Sequence, residues 1–157
     1  MKTLIAIVCT LLAFSCSPKD GSISTGNSID IIARAKPIDE EKHSNEQLSD
    51  TIIMEMEDEN GIYSAFGIID SEHPRIYVKF SNEDTGNLYA VITPLKGKGN
   101  IRFNQILFPD KTADGPFGKD VALVLRQTGQ HTLIIGHSLM AENPYSGKFK
   151  IDLQVAE

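Results

Sequence analysis

The stretch from Lys148 to Val155 constrains the fold of this chain more than any other. Phe149, Ile151, Leu153 and Val155 alternate with Lys148, Lys150, Asp152 and Gln154. Successive strand side chains point to opposite faces, so a period of two sends the first set into a core and the second into water. Arg75–Phe80 repeats the pattern, with Ile76, Val78 and Phe80 inward. Val121-Ala122-Leu123-Val124-Leu125 is apolar throughout and fits a strand covered on both faces.

Short runs rich in Val, Ile, Phe and Tyr recur from Asp50 onward, each closed by Gly, Asn, Asp or Pro. They predict strands at Thr51–Glu57, Ile62–Ile69, Arg75–Phe80, Leu88–Pro94, Asn100–Phe108, Val121–Arg126, His131–Gly136 and Lys148–Val155. Turn chemistry marks Glu59-Asn60-Gly61, Asn82–Asn87, Lys96–Gly99 and Asp114–Gly118. No helical pattern lies between the runs, which argues against a parallel βαβ sheet. The expectation is an all-β, jelly-roll-like antiparallel β-sandwich of about eight strands over residues 50–157, with one core.

The first 49 residues read differently. Lys2 precedes an apolar run from Leu4 to Phe14, broken only by Thr10. The run is far short of the roughly 20 residues of a spanning helix and suits the apolar region of a secretory signal. Ser15 places a small side chain before Cys16, and Ser17-Pro18-Lys19-Asp20 turns polar. This segment resembles a bacterial lipoprotein signal peptide, with Ala13-Phe14-Ser15-Cys16 standing where the lipobox stands. The resemblance implies cleavage after residue 15 and acylation of Cys16, a diacylglyceryl thioether with a further chain such as palmitate. It also implies a membrane anchor in the cell envelope, at the outer membrane, facing the periplasm or the surface. Two or more acyl chains anchor stably where one is marginal. Cys9 leaves with signal 1–15, so the mature chain has no cysteine left for a disulfide, a nucleophile or a thiolate metal site. Residues 16–49 then form the acylated start and a flexible polar linker. Ile29-Asp30-Ile31-Ile32-Ala33-Arg34-Ala35 interrupts that polarity, either as a segment that docks on the domain or as one that orders with a partner.

Charge narrows the partners. Lysine and arginine number 15 against 21 acids, and no basic cluster occurs. Nucleic-acid affinity rests on cations neutralising phosphates, so nucleic acid is excluded as a partner. The chain has no tryptophan, the commonest stacking platform for sugars, although tyrosine and phenylalanine remain.

The residues of chemistry are scattered. His131 and His137 lie six apart, about 20 Å along one strand, too far to share an ion. His43 falls in the linker and His73 in a turn before Pro74, so all four histidines read as surface or half-buried residues. The acids Asp70, Glu72, Glu83, Asp84, Asp110, Asp114 and Asp120 sit in turns. Asp110 to Gly115 lacks calcium-loop spacing and carries Lys111, so these acids read as solvated turns, with a structural calcium ion as the alternative. Otherwise no cofactor is implied beyond the covalent lipid. No nucleophile elbow, phosphate loop or zinc helix motif occurs, and His137 and Ser138 point to opposite faces. The chain therefore reads as non-enzymatic.

Two loops carry more apolar surface than a turn needs. Ser138–Ser146 joins the last two strands and contains Leu139, Met140, Asn143, Tyr145 and Ser146. Asp114–Gly118 sets Phe117 between glycines. These six residues are the candidate binding positions, since Tyr and Met are favoured at binding surfaces. The competing reading makes Leu139 and Met140 a cap on the sandwich, packs Tyr145 under its turn and places Phe117 at the core edge.

Asp120–Val155 contains Thr128-Gly129-Gln130-His131-Thr132-Leu133-Ile134, a loop, and Tyr145-Ser146-Gly147-Lys148-Phe149-Lys150-Ile151. This resembles the end of bacterial pre-peptidase C-terminal domains, with His131 and Phe149 where tyrosine is common. The resemblance implies a jelly-roll sandwich that serves as a non-catalytic appendage. Small periplasmic inhibitors of g-type lysozyme end in a similar pair of strands. The leading expectation is an envelope lipoprotein that binds a protein or glycan as an accessory module. The alternatives are an inhibitor of a secreted hydrolase such as lysozyme and a structural subunit of an envelope complex.

Overall fold

The computed structural model describes residues 44–138 and 140–156. Signal 1–15, Cys16, the Ile29–Ala35 segment and Leu139 lie outside the described residues. The described chain is all β: β1 (Gln47–Leu48), β2 (Thr51–Ile53), β3 (Tyr63–Ile69), β4 (Arg75–Asn82), β5 (Gly86–Lys98), β6 (Arg102–Leu107), β7 (Ala113–Asp114), β8 (Asp120–Leu125), β9 (Gly129–Gly136) and β10 (Ser146–Ala156). They form two sheets, ordered β1-β2-β4-β9-β6-β7 and β3-β10-β5-β8. Pairing is antiparallel except between β2 and β4. The fold is the expected β-sandwich, and each of the eight stretches read from sequence contributes a strand.

Chain neighbours rarely pair. Only β1–β2 and β6–β7 are consecutive partners, and the other connections cross between the sheets. The last two strands take the centres: β9 sits between β4 and β6, and β10 between β3 and β5. The inward set of β10 is Phe149, Ile151 and Leu153, all fully buried. They meet Ile76, Val78, Phe103, Ile106, Leu133 and Ile135 from the facing sheet in one core. Each such side chain contributes about 1.5–3 kcal/mol through the water it sheds.

Three readings need correction. β8 is not covered on both faces; it is an edge strand, with Ala122 exposed and Val124 59 % exposed. Its apolar run reflects an inward set of Val121, Leu123 and Leu125 beside an outward set that happens to be apolar. The folded unit also begins before Asp50. Gln47–Leu48 pairs with β2, and the buried Asn45 bridges to Ala65. The Asn45 side chain accepts from the amides of Glu55 and Met56 (2.9 Å each) and donates to the carbonyls of Met56 (2.9 Å) and Ser64 (3.1 Å). A single asparagine that saturates neighbouring backbone has no periodic signature, so the segment reads as linker. Finally, His131 is fully buried rather than at the surface.

Gly67 shows how tightly the sheets close. It pairs with Phe149, and a Cβ there falls 2.4 Å from Phe149 Cζ, 2.7 Å from Cε1 and 2.9 Å from Gln47 Oε1. The ring lies directly on the β3 backbone. Gly67→Ala is expected to displace it and destabilise the fold by about 1–3 kcal/mol. Urea unfolding of both chains checks this, with the slope unchanged and the midpoint lowered.

Candidate binding end of the sandwich

Strand direction gathers four loops at one end: residues 70–74, 99–101, 115–119 and 137–145. The two loops singled out from sequence are joined there by the short β5–β6 connection. The Asn100 amide donates to the Asn143 carbonyl (2.9 Å), and the Tyr145 amide donates to the Asn100 carbonyl (3.2 Å). Gly99 permits this approach: its φ is +111°, and a Cβ would stand 2.7 Å from the carbonyl oxygens of Asn143 and Pro144. On the other side, the Phe117 amide donates to the Phe103 carbonyl (3.0 Å), and the Phe103 amide donates to that of Gly118 (2.9 Å). Asn100, Arg102, Pro116, Phe117 and Lys119 thus line an open groove of about 470 Å³.

The six candidate positions divide. Met140 is 98 % exposed and projects from the 137–145 loop. Asn143 and Ser146 are exposed, Asn143 with φ +73°. Tyr145 is corrected: only 3 % exposed, it belongs to the core, and its hydroxyl donates to the Lys148 carbonyl (2.5 Å). Burial pushes that phenol above its ordinary value, with a backbone hydrogen bond to Leu95 opposing. Phe117 is half-buried against the core and forms the groove wall rather than a free anchor. Leu139 lies outside the described residues.

Sequence reasoning missed the charges of this end. Arg102, half-buried at the start of β6, lines the groove with the exposed Lys119. Its Nε is shut off from solvent and has no hydrogen-bond partner. Among the described residues neither cation is in an ion pair. Arg75 stands in the same row, since it and Arg102 both register with Gly136 from opposite sides. These cations come from separate strands and loops, so no local cluster announces them. Acids lie at both ends: Glu57, Asp58, Glu59, Glu83, Asp84 and Asp110 in the turns of the opposite end, and Asp70, Glu72, Asp120 and Glu142 around the cations of this one.

The turn acids serve the backbone. Asp110 accepts from the Thr112 hydroxyl (2.6 Å), the Thr112 amide (2.9 Å) and Gln127 (2.8 Å). The Thr112 bonds, followed by Gln127, hold its carboxyl below the ordinary range. Asp70, at the groove end, accepts from the amides of His73 (2.7 Å) and Glu72 (2.9 Å), and its carboxyl is likewise lowered, first by the His73 amide. Among the described residues no three His, Cys, Asp or Glu side chains are placed to hold a metal ion.

No family model matches the chain, and no curated protein matches it. Among solved structures it is similar to Aeromonas hydrophila PliG, a periplasmic lysozyme inhibitor of g-type lysozyme, with a TM-score of 0.50 and 11 % identity over 70 % of this chain and 98 % of that one. Salmonella Typhimurium PliG, of the same description, gives 0.45 and 12 % over 69 % and 99 %. The Aeromonas likeness is one of fold and covers almost the whole of that chain.

His131 lies within the core, away from this end. Its ring stacks on Phe80 (5.3 Å between centroids) and meets Phe108 edge-on (5.9 Å). Nδ1 lies 3.0 Å from the Gly129 carbonyl and donates to it in the neutral ring, while Nε2 is buried without a partner. Desolvation pushes the pKa below 6.5, against the raising effect of the Gly129 bond. The unfolded chain therefore takes up this proton first on acidification. Stability from this site is full above about pH 6.5 and falls as pH drops toward the depressed folded value. Melting temperature is expected to decline from pH 6.5 to 5, and His131→Phe is expected to flatten that decline in parallel scans.

Proposed function

We propose that this chain is a non-catalytic, protein-binding module of the cell envelope that inhibits a secreted hydrolase of the lysozyme class. The observation that carries the reading is the groove at the loop end, whose two cations are in no ion pair among the described residues. Met140 projects there beside a groove edged by Arg102 and Lys119, on a chain that is otherwise acidic. Glycoside hydrolases cleave with a pair of carboxyl groups in a cleft, and unpaired cations on a projecting end complement such a cleft in charge. The fold likeness to Aeromonas hydrophila PliG, described as a periplasmic lysozyme inhibitor, supports the same assignment over 70 % of this chain. The appendage role implied by the pre-peptidase resemblance fits a non-catalytic module equally well. A glycan ligand has less to recommend it, because the Phe117 ring packs on the core instead of offering a free face.

The assay is lysis of cell-wall substrate by g-type and other lysozymes with the purified protein added. Stoichiometric inhibition of at least one type is expected. Arg102→Glu and Met140→Asp are each expected to weaken it about tenfold or more while the melting temperature holds. Full lysozyme activity across all types at excess protein removes the proposal.

We further assign the chain to a lipid anchor at Cys16. Growth of the native host with an alkyne-tagged palmitate is expected to label the protein. Cys16→Ser is expected to abolish the label and release the chain from the membrane fraction. Label retained in that variant rules the anchor out.

A further inference from the structure

We infer that β8 is a self-pairing edge, through which two copies of this chain form a two-fold symmetric dimer with Leu123 on the axis. The sandwich treats its edges unequally. β1 and β7 are two residues long. The β3 edge is covered: Asn45 bridges to Ala65, and the Gln47 side chain accepts from the Ile68 amide (2.7 Å) and donates to its carbonyl (3.3 Å). β8 runs for six residues with no proline, no bulge and no inward charge, and among the described residues nothing pairs with its far side. An edge of this kind is a template for another strand.

The ladder fixes which groups are free. The Ile92 amide donates to the Lys119 carbonyl (2.8 Å), so by antiparallel alternation residues 121, 123 and 125 turn their amides and carbonyls to β5. Asp120, Ala122 and Val124 turn theirs outward. An antiparallel copy can then dock with its axis at Ala122, Leu123 or Val124. The axis at Leu123 sets Asp120 opposite the partner's Arg126, Ala122 opposite the partner's Val124, and Val121 opposite the partner's Leu125. Asp120 and Arg126 are both exposed and lie on the outward face with Ala122 and Val124. An axis at Ala122 sets Asp120 against the partner's Val124, and an axis at Val124 sets Ala122 against the partner's Arg126. Charge and apolar complementarity therefore select Leu123. The result is a continuous eight-stranded sheet.

The test uses the mature chain from residue 16 with Cys16→Ser, so that an added Leu123→Cys is the sole thiol. Facing residues at a non-hydrogen-bonded antiparallel pair lie within disulfide reach. Oxidation is expected to give a covalent dimer, and Ser81→Cys in its place is expected to give none. Asp120→Arg and Arg126→Asp are each expected to cut the dimer yield about fivefold or more, and the double swap to restore it. Val124→Pro, at an amide free of the ladder, is expected to abolish the dimer without loss of β-sheet circular dichroism. A Leu123→Cys chain that stays monomeric on oxidation overturns the inference and leaves the edge to a strand of another protein. A dimer that the double charge swap fails to restore overturns it as well.

Discussion

The rest of the structure depends on two late strands occupying the centres of both sheets. β10 has a partner on each side, and so has β9, while the strands they join are distant in the chain. Lys148 registers with Ile68 on one side and Lys96 on the other. Neither sheet is continuous until the last quarter of the chain is in place, a topology in which loop closure must precede most of the reward. The inward alternation of β10 is the seam of the core: Phe149 rests on the bare backbone of Gly67, and Ile151 and Leu153 fill the space behind it.

That topology also builds the candidate site. The loop between two central strands must emerge at the middle of one end, and there it meets the β5–β6 connection. Asn100 ties the loop down through two backbone hydrogen bonds, and Gly99 lets the backbones approach. Tyr145 anchors the loop from beneath, which leaves Met140 as the projecting side chain. Arg102 and Lys119 arrive from β6 and from the entry to β8. The meeting of these two cations at one groove is thus a consequence of strand direction. At the far end Asp58 and Asp110 close turns through their own oxygens, and Asp70 does so at the groove end.

Much of the fold was legible because strand periodicity is local. Phe149, Ile151 and Leu153 announce their faces with no knowledge of their partners, and turn residues bound the other strands. Legibility failed where the cause was non-local. Asn45 belongs to the fold because four backbone groups from other segments converge on it. β8 reads as a buried strand because continuous apolar sequence looks the same in a centre as at an edge meant for pairing. Tyr145 reads as a contact residue because nothing in its neighbours shows that the core lies beneath it.

By itself, then, the sequence determined the fold class, most of the inward faces and the turns, since each depends on side chains within a few residues of one another. The order of strands, and with it the meeting of the 99–101, 115–119 and 137–145 loops, was decided only in the tertiary structure. Arg102, Lys119 and Met140 lie far apart along the chain and come to one end because β6, β8 and β9 enter or leave the sandwich there. The edge status of β8 was likewise decided by which strands took the centre, a competition among hydrogen-bonding partners that no single segment encodes.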